Sequence, residues 1–565
     1  MAFSRLSFIA IGLTLFALVF ITLKGHTGGN VFWHLLAVQD IPAAWLMLAM
    51  LAFGHWYGTL RSGGTDWIEQ LLMVVDRQRY VIAVVLWVVL CAGSLWLYRN
   101  HPLSTDEYAV VFQAKVFAAG AMHGQFPPDL LDYLIPQKLQ NHFLMVNRET
   151  GAVFSAYWPG FSLLLTPFVW FGIPWACNPT LVAASFLLIG RVARDLIDTP
   201  QAAGWALLFA LASPAFVANG MSYYSMPAHL LFNLVFAWLL LMPSPLRLFL
   251  AGLAGGYALV LHNPFPHAVF ALPWIIWLAT RHGQRLRNLG FLAAGYLPVF
   301  LLLGVGWWIW GRQTLSESAP VATAVAATVV RAATAVQAAG VEPQTLPDRL
   351  HSLLRAFTGV MDWPKEKTLF ARLGGLAKLW LWASPLLLLL AWKGWRREKD
   401  DATRLLGASA LLTFFAYFFF RFNQGNGWGY RYFHPAWGVL PVLATLGLYK
   451  LAAQDGARVL REVALLALLS LVAANALRFV QIGDYMDMHL AQFPPRVEAE
   501  RRIVLHNGKG YKTIDIIQND PWLRGGEVVL LVKDEADMKK VQAHFPKLQE
   551  AARNEYGSTM TEPAR

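Results

Sequence analysis

Apolar runs of about 15 to 20 residues recur from one end of this chain to the other, separated by short polar loops. That pattern constrains the fold more than any other feature. Hydrocarbon offers no partner for a backbone amide, so a spanning chain must be helical or a closed barrel. The runs are continuous rather than alternating, which selects helices. Of the 565 residues, 56% are hydrophobic and 14% charged, too few charges to cover a soluble surface. The expected fold is an α-helical polytopic membrane protein.

Spans are expected near 7–23, 41–58, 80–98, 176–191, 203–218, 228–242, 248–262, 266–280, 289–309, 374–392, 405–420, 436–451 and 463–480, about thirteen in all. The first run lacks a small-residue cleavage site before Lys24 and reads as a retained span. The net charge of +12 does not indicate a nucleic-acid partner, because the basic residues gather in alternate short loops. Examples are Arg77 with Arg79, Arg191 with Arg194, and Lys393 through Arg404. The loops near 219–227 and 263–265 carry no Lys or Arg. This asymmetry places the N-terminus inside and the tail outside. Cys91 and Cys177 lie in apolar runs, so no disulfide framework is expected.

Two segments are kept out of the count. Gly160 to Pro174 is apolar but short and contains Pro167; it reads as a re-entrant or surface helix. The Ala-rich stretch from Ser318 to Gly340 contains Arg331 and reads as part of a large outer loop. The organisation is therefore a membrane domain over 1–480, with outer loops at about 99–159 and 311–373, and an outer tail over 481–565. In the tail, GGEVVLLVKDEADMKKVQAHFPKL reads as a strand, a turn and an amphipathic helix, hence a small α/β domain.

The spans read as nearly free of ionisable groups, and the unusual polar residues cluster at their outer ends. Asp106 and Glu107 follow the third span in the stretch STDEYAVVFQAK. Ser104 and Glu107 have the spacing of a helix capping box, and acids suit a helix's first turn. Capping leaves Asp106 able to act as a base. SYYSMPAH contains Tyr223 and Tyr224; HNPFPH contains His262 and His267. In RFNQGNGWGYRYFHP, glycines permit close backbone approach around Arg431, with Tyr430, Tyr432 and His434 beside it. A guanidinium at headgroup depth suits a lipid phosphate; an interfacial aromatic belt with a snorkelling arginine would look the same. The two histidines fit either interfacial packing or an anionic headgroup. Tyr157 and Trp158 could close a turn into the next helix or stack on a sugar. No metal-ligand spacing, phosphate-cradling glycine loop or nucleophile elbow is present.

The acidic pair opening a helix in the first large outer loop resembles the signature of the GT-C glycosyltransferases, polytopic enzymes that use polyprenyl-phosphate-linked sugars. YWPGFSLLLTPF and GWGYRYFHPAWGVLPVL are similar to segments of the bacterial branch related to the protein mannosyltransferases and the lipid A aminoarabinose transferase. The chain departs from that branch in having three apolar runs before the acidic pair and Tyr108 directly after it. The resemblance implies a GT-C-like fold at the outer face of a bacterial inner membrane. It implies inverting sugar transfer to a glycan, lipid or protein acceptor, with Asp106 as base and Glu107 orienting base or acceptor. Arg431, Tyr430, Tyr432, His434, His262 and His267 would hold the lipid phosphate. Tyr157, Trp158, Tyr223 and Tyr224 would meet sugar or acceptor. No metal cofactor and a monomer among membrane lipids are expected. Two other readings stay open: a transporter or flippase of polyprenyl-linked saccharides, and a scaffold whose working part is the tail.

Overall fold

The computed structural model of the chain describes residues 2–26, 29–60, 64–280, 284–315, 361, 363–396, 398–420 and 422–561. The Ala-rich stretch and most of the second outer loop lie outside the described residues. Among the described residues, six helices are long and apolar enough to cross a membrane: Ser4–Lys24, Val31–Gly58, Arg79–Trp96, Pro174–Leu196, Arg285–Leu315 and Ala457–Leu490. A pair bent by 67°, Ala202–Leu211 with Pro214–Met221, is a candidate seventh. The chain is a multi-pass membrane protein.

Each of the expected spans falls on helix, but not each is one long helix. Met226–Leu240, Pro245–Val260 and Phe265–Thr280 are shorter apolar helices. The segment at 374–392 is divided between Glu366–Leu381 and Leu387–Trp395. Proline explains both this break and the bend in the 203–218 segment. Pro214 and Pro385 lack an amide hydrogen and disfavour helical backbone one residue before them. Ser213 accordingly has φ −108° and ψ 108°.

The two breaks satisfy each other. Ser384 N–H donates to Ser213 Oγ over 2.9 Å, and Ala215 N–H donates to the Trp382 carbonyl over 2.8 Å. The carbonyls freed before the bend are also used. Ser470 Oγ donates to Ala212 over 2.6 Å and Asn475 Nδ2 to Leu211 over 2.9 Å. Non-helical backbone in an apolar bundle persists where such partners exist.

The chain divides into two compact units. The first comprises Met1–Leu97, Trp175–Leu301 and Trp363–Ile482; the second comprises Tyr98–Pro174, Leu302–Asp362 and Gly483–Arg565. In the first unit, ionisable residues occupy positions that read as apolar span. Lys378 and Arg478 lie in the expected spans at 374–392 and 463–480, yet both are buried and converge on buried Asp40. Lys378 Nζ sits 2.7 Å from Asp40 Oδ2, and Arg478 Nη2 sits 2.8 Å from Oδ1. Trp382 Nε1–H adds a 2.7 Å bond to Oδ1. A local π-helical turn over Leu36–Asp40 carries the aspartate.

The second unit holds two small sheets. Strands β1 (Gly124–Gln125), β2 (Leu144–Val146) and β3 (Ala152–Ser155) form an antiparallel sheet in the order β1-β3-β2. Met145, Phe154, Ala156 and Trp307 form a core beneath it. In the tail, β4 (Arg502–His506), β5 (Glu527–Leu531), β6 (Gln549–Asn554) and β7 (Gly557–Thr561) make a sheet ordered β5-β4-β7-β6. β4 pairs parallel with β5 and antiparallel with β7. The expected strand, turn and helix are β5 and Glu535–His544, capped by Asp534 on the Asp537 amide. Val504, Ile517, Val529 and Leu531 form the tail's core.

Candidate active site

In the second unit, the acidic pair opens the helix Thr105–Ala118. Ser104 takes the N-cap position with φ −137° and ψ 163°. The reach-back expected of a capping box is made by Glu107, but to an amide one residue earlier: Leu103 N–H donates to its Oε2 over 2.5 Å. Tyr98 O–H donates to Oε1 over 2.8 Å. Glu107 is fully buried, whereas Asp106 is half-buried. Consecutive helical residues point about 100° apart, so one acid turns into the fold and its neighbour does not.

The Tyr157 hydroxyl donates to Asp106 Oδ1. Tyr157 is itself fixed: it is buried, its ring meets Phe143 edge-on, and its amide donates to Ser155 Oγ over 3.2 Å. Trp158 follows, half-buried, at the entry to the helix Gly160–Trp170. That helix runs beside the acid-bearing one in the same direction. Ser162 Oγ donates to the Val110 carbonyl over 3.1 Å, and Trp170 Nε1 to the Ala118 carbonyl over 2.7 Å. A carboxylate with one oxygen oriented by a buried phenol, on a helix start locked at both ends, has the fixed geometry a general base needs.

In the first unit, the glycine loop folds back on itself. Gly425, Gly427 and Gly429 have φ of +64°, +120° and +62°. A Cβ on Gly427 would stand 2.3 Å from Arg431 Cδ, so only glycine fits against that side chain. Arg431 is buried. Its Nη2 donates to the Gln424 carbonyl, its amide to Gln424 Oε1 over 3.0 Å, and its guanidinium lies 4.2 Å from the centre of the Tyr224 ring. Tyr224 and Tyr223 are both buried. Asn178 Nδ2 holds that turn by donating to the carbonyls of Ser222 and Tyr224 over 2.6 and 2.8 Å.

Tyr430 packs edge-on to Tyr432, 6.1 Å between rings, and Tyr432 stacks on Tyr417 at 4.8 Å. His434 is buried at the start of the next helix. The two histidines of HNPFPH have partners of their own. His267 places Nδ1 2.7 Å from Asn233 Oδ1 and Nε2 2.6 Å from the Tyr296 hydroxyl; this is a packing histidine. His262 Nδ1 lies 2.8 Å from Asn263 Nδ2.

Several residues here escape sequence reasoning. Tyr98 and Asn178 carry no motif, and Gln424, though inside the arginine loop, is not singled out by it; their roles arise from what they reach. The same holds for Asp515, in the tail, whose Oδ1 accepts from Thr105 N–H over 2.9 Å and from Thr105 Oγ1–H over 2.7 Å. Among the described residues, no group of three or more His, Cys, Asp or Glu is placed to hold a metal ion.

No protein-family model matches the sequence, and no curated protein matches it. Solved structures do. The crystal structure of ArnT from Cupriavidus metallidurans bound to undecaprenyl phosphate matches with a TM-score of 0.51 at 14% identity, covering 88% of this chain and 98% of that one. The apo structure of the same protein gives 0.50 at 13% identity, with the same coverage. The chain shares the fold of these structures. At this identity the match speaks for the fold and not for any side chain; the acidic helix and the arginine loop stand on their own geometry.

Proposed function

We propose that this chain is an integral-membrane glycosyltransferase. It moves a sugar from a polyprenyl-phosphate donor to a hydroxyl of a cell-envelope glycan, lipid A or a protein. The observation that carries the reading is the half-buried Asp106, oriented by Tyr157 at the start of a locked helix in a chain that shares the fold of ArnT. In the reaction, the acceptor oxygen attacks the anomeric carbon as the bond from that carbon to the phosphate oxygen breaks. The acceptor proton passes to Asp106, polyprenyl phosphate leaves, and configuration inverts. Arg431 is assigned to the charge that develops on the leaving phosphate, for which a buried, preorganised guanidinium is suited. Tyr224 and Tyr430 shape its surroundings. Tyr157 and Trp158 are assigned to sugar or acceptor. The geometry argues against a headgroup role for His267, whose nitrogens are engaged. We assign the reaction to the outer face of a bacterial inner membrane, with the N-terminus cytoplasmic, the tail outside and the protein acting as a monomer.

The test is reconstitution of the full chain in liposomes with a panel of undecaprenyl-phosphate-linked hexoses and pentoses, following release of undecaprenyl phosphate and labelling of the acceptor. Transfer by the wild type and its loss in Asp106→Asn are expected. Movement of the lipid-linked sugar across the bilayer without transfer would support a flippase instead.

A further inference from the structure

The start of the acid-bearing helix is held from the tail. Thr105 is the first residue of that helix, and its amide is one of the donors a helix leaves unpaired at its N-terminus. Asp515, 410 positions along the chain, takes both that amide and the hydroxyl of the same residue on one carboxylate oxygen, at 2.9 and 2.7 Å. The contact is one of a series. Gln518 Nε2 donates to the Pro102 carbonyl over 2.7 Å. The Tyr108 hydroxyl donates to the Asn519 carbonyl and accepts from the Asn519 amide, both at 2.8 Å. Gln125 N–H donates to the Pro521 carbonyl over 2.8 Å. The stretch 515–521 thus grips Pro102 and Thr105 before Asp106 and Tyr108 two residues after it.

This grip differs from ordinary domain packing in where its charge lies. A bifurcated carboxylate on the amide and hydroxyl of one residue fixes both the backbone and the rotamer of Thr105. Asp106 is the next residue, so its direction toward Tyr157 follows from that turn. The segment that supplies Asp515 is itself braced: Asn519 Nδ2 and Oδ1 bond the Val529 carbonyl and amide at 2.9 and 2.8 Å, tying it to β5.

We propose that Asp515 is a positioning residue for Asp106, through which the tail sets the orientation of the base. The proposal rests on the reading of Asp106 as the base. Misplacement of a catalytic group by about 1 Å costs on the order of 100-fold in rate. In full-length protein in lipid nanodiscs, assayed with undecaprenyl-phosphate-linked hexoses and pentoses, Asp515→Ala is expected to lower kcat on the order of 10- to 100-fold. Donor KM should stay within about threefold, since the donor contacts are untouched. Asp515→Asn keeps an acceptor oxygen and should restore kcat to within about threefold of wild type. Thr105→Val, which removes only the hydroxyl, should fall between them and serves if the alanine variant does not fold. Hydrogen–deuterium exchange provides an arm that needs no substrate: amides 105–108 should exchange faster in Asp515→Ala and not in Asp515→Asn. Wild-type kcat in both Asp515→Ala and Thr105→Val, a loss carried by KM alone, or equal losses in the alanine and asparagine variants would overturn the proposal. Retained transfer in Asp106→Asn would overturn the catalytic reading instead, while unchanged exchange in Asp515→Ala would overturn the grip itself.

Discussion

Tyr98 O–H donates to Glu107 Oε1 over 2.8 Å, while the carboxylate next to it, on Asp106, stays half-buried and bonded to Tyr157. Two adjacent acids have therefore been sorted by helix geometry into a buttress and a candidate base. Both oxygens of Glu107 accept from fixed donors. Glu107→Gln would set its amide group against one of those donors and is expected to cost about 1–3 kcal/mol of stability. Asp106→Asn should leave stability near wild type yet reduce transfer at least about 100-fold. Thermal melts and initial rates on the two purified variants would separate the roles; equal melting losses in both would refute the division.

Arg431 offers a second contrast. Its guanidinium is held on the Gln424 carbonyl and over the Tyr224 ring. Lysine keeps the charge but not the planar fork. Arg431→Lys is expected to lower kcat on the order of 100-fold. His267→Gln, at a residue engaged by Asn233 and Tyr296, should act on stability rather than on donor KM. Steady-state kinetics with melting curves for both would check this.

The buried charges around Asp40 should tolerate the loss of a partner far less than an exposed pair does. Removing the anion in Asp40→Asn leaves Lys378 and Arg478 buried without their counter-charge, at a cost of about 3–5 kcal/mol. Arg99 and Asp487 form a 2.8 Å ion pair on the surface of the second unit, with side chains 47% and 55% exposed. Asp487→Asn should cost no more than about 1 kcal/mol. Denaturant or thermal unfolding in detergent would rank the two.

Asp515 makes a prediction in pH. Burial raises its carboxyl above the ordinary value, and the nearby Asp106 charge adds to this; the Thr105 bonds and Lys512 act in the opposite direction without cancelling it. A group with a raised folded pKa stabilises the fold most when protonated. That contribution is fully present below the unfolded value of 3.8 and is lost as pH rises through the raised folded value. Asp515→Asn cannot ionise. Its melting temperature should exceed that of wild type at pH 8, and the gap should close toward pH 4. A gap that widens on acidification would reverse the sign of the argument.

The sequence carried a good deal of this protein because much of it is local. Whether a segment is helical inside a bilayer depends on its own hydropathy, and each expected span is helix. The prolines at 214 and 385 mark the breaks through their own covalent geometry, although the spans expected at 203–218 and 374–392 run unbroken through both. The three glycines around Arg431 announced the close backbone approach that the loop makes there. The strand, turn and helix of the tail followed from short-range pattern and the Asp534 cap.

What no local pattern holds is partnership. Lys378 and Arg478 look like rare charges in separate apolar runs until Asp40 joins them. The helix breaks at Ser213 and Ser384 look unrelated until Ser213 Oγ takes the Ser384 amide and the Trp382 carbonyl takes the Ala215 amide. Composition and periodicity determined that the chain is a helical membrane protein with an acidic helix start and an arginine loop, because those properties are written in neighbouring residues. Tertiary structure alone decided which acid is buried, which histidine is mere packing, and that a carboxylate from the tail grips the turn before Asp106. Such contacts depend on which distant groups the folded chain brings within about 3 Å, a distance set by packing and not by spacing along the sequence.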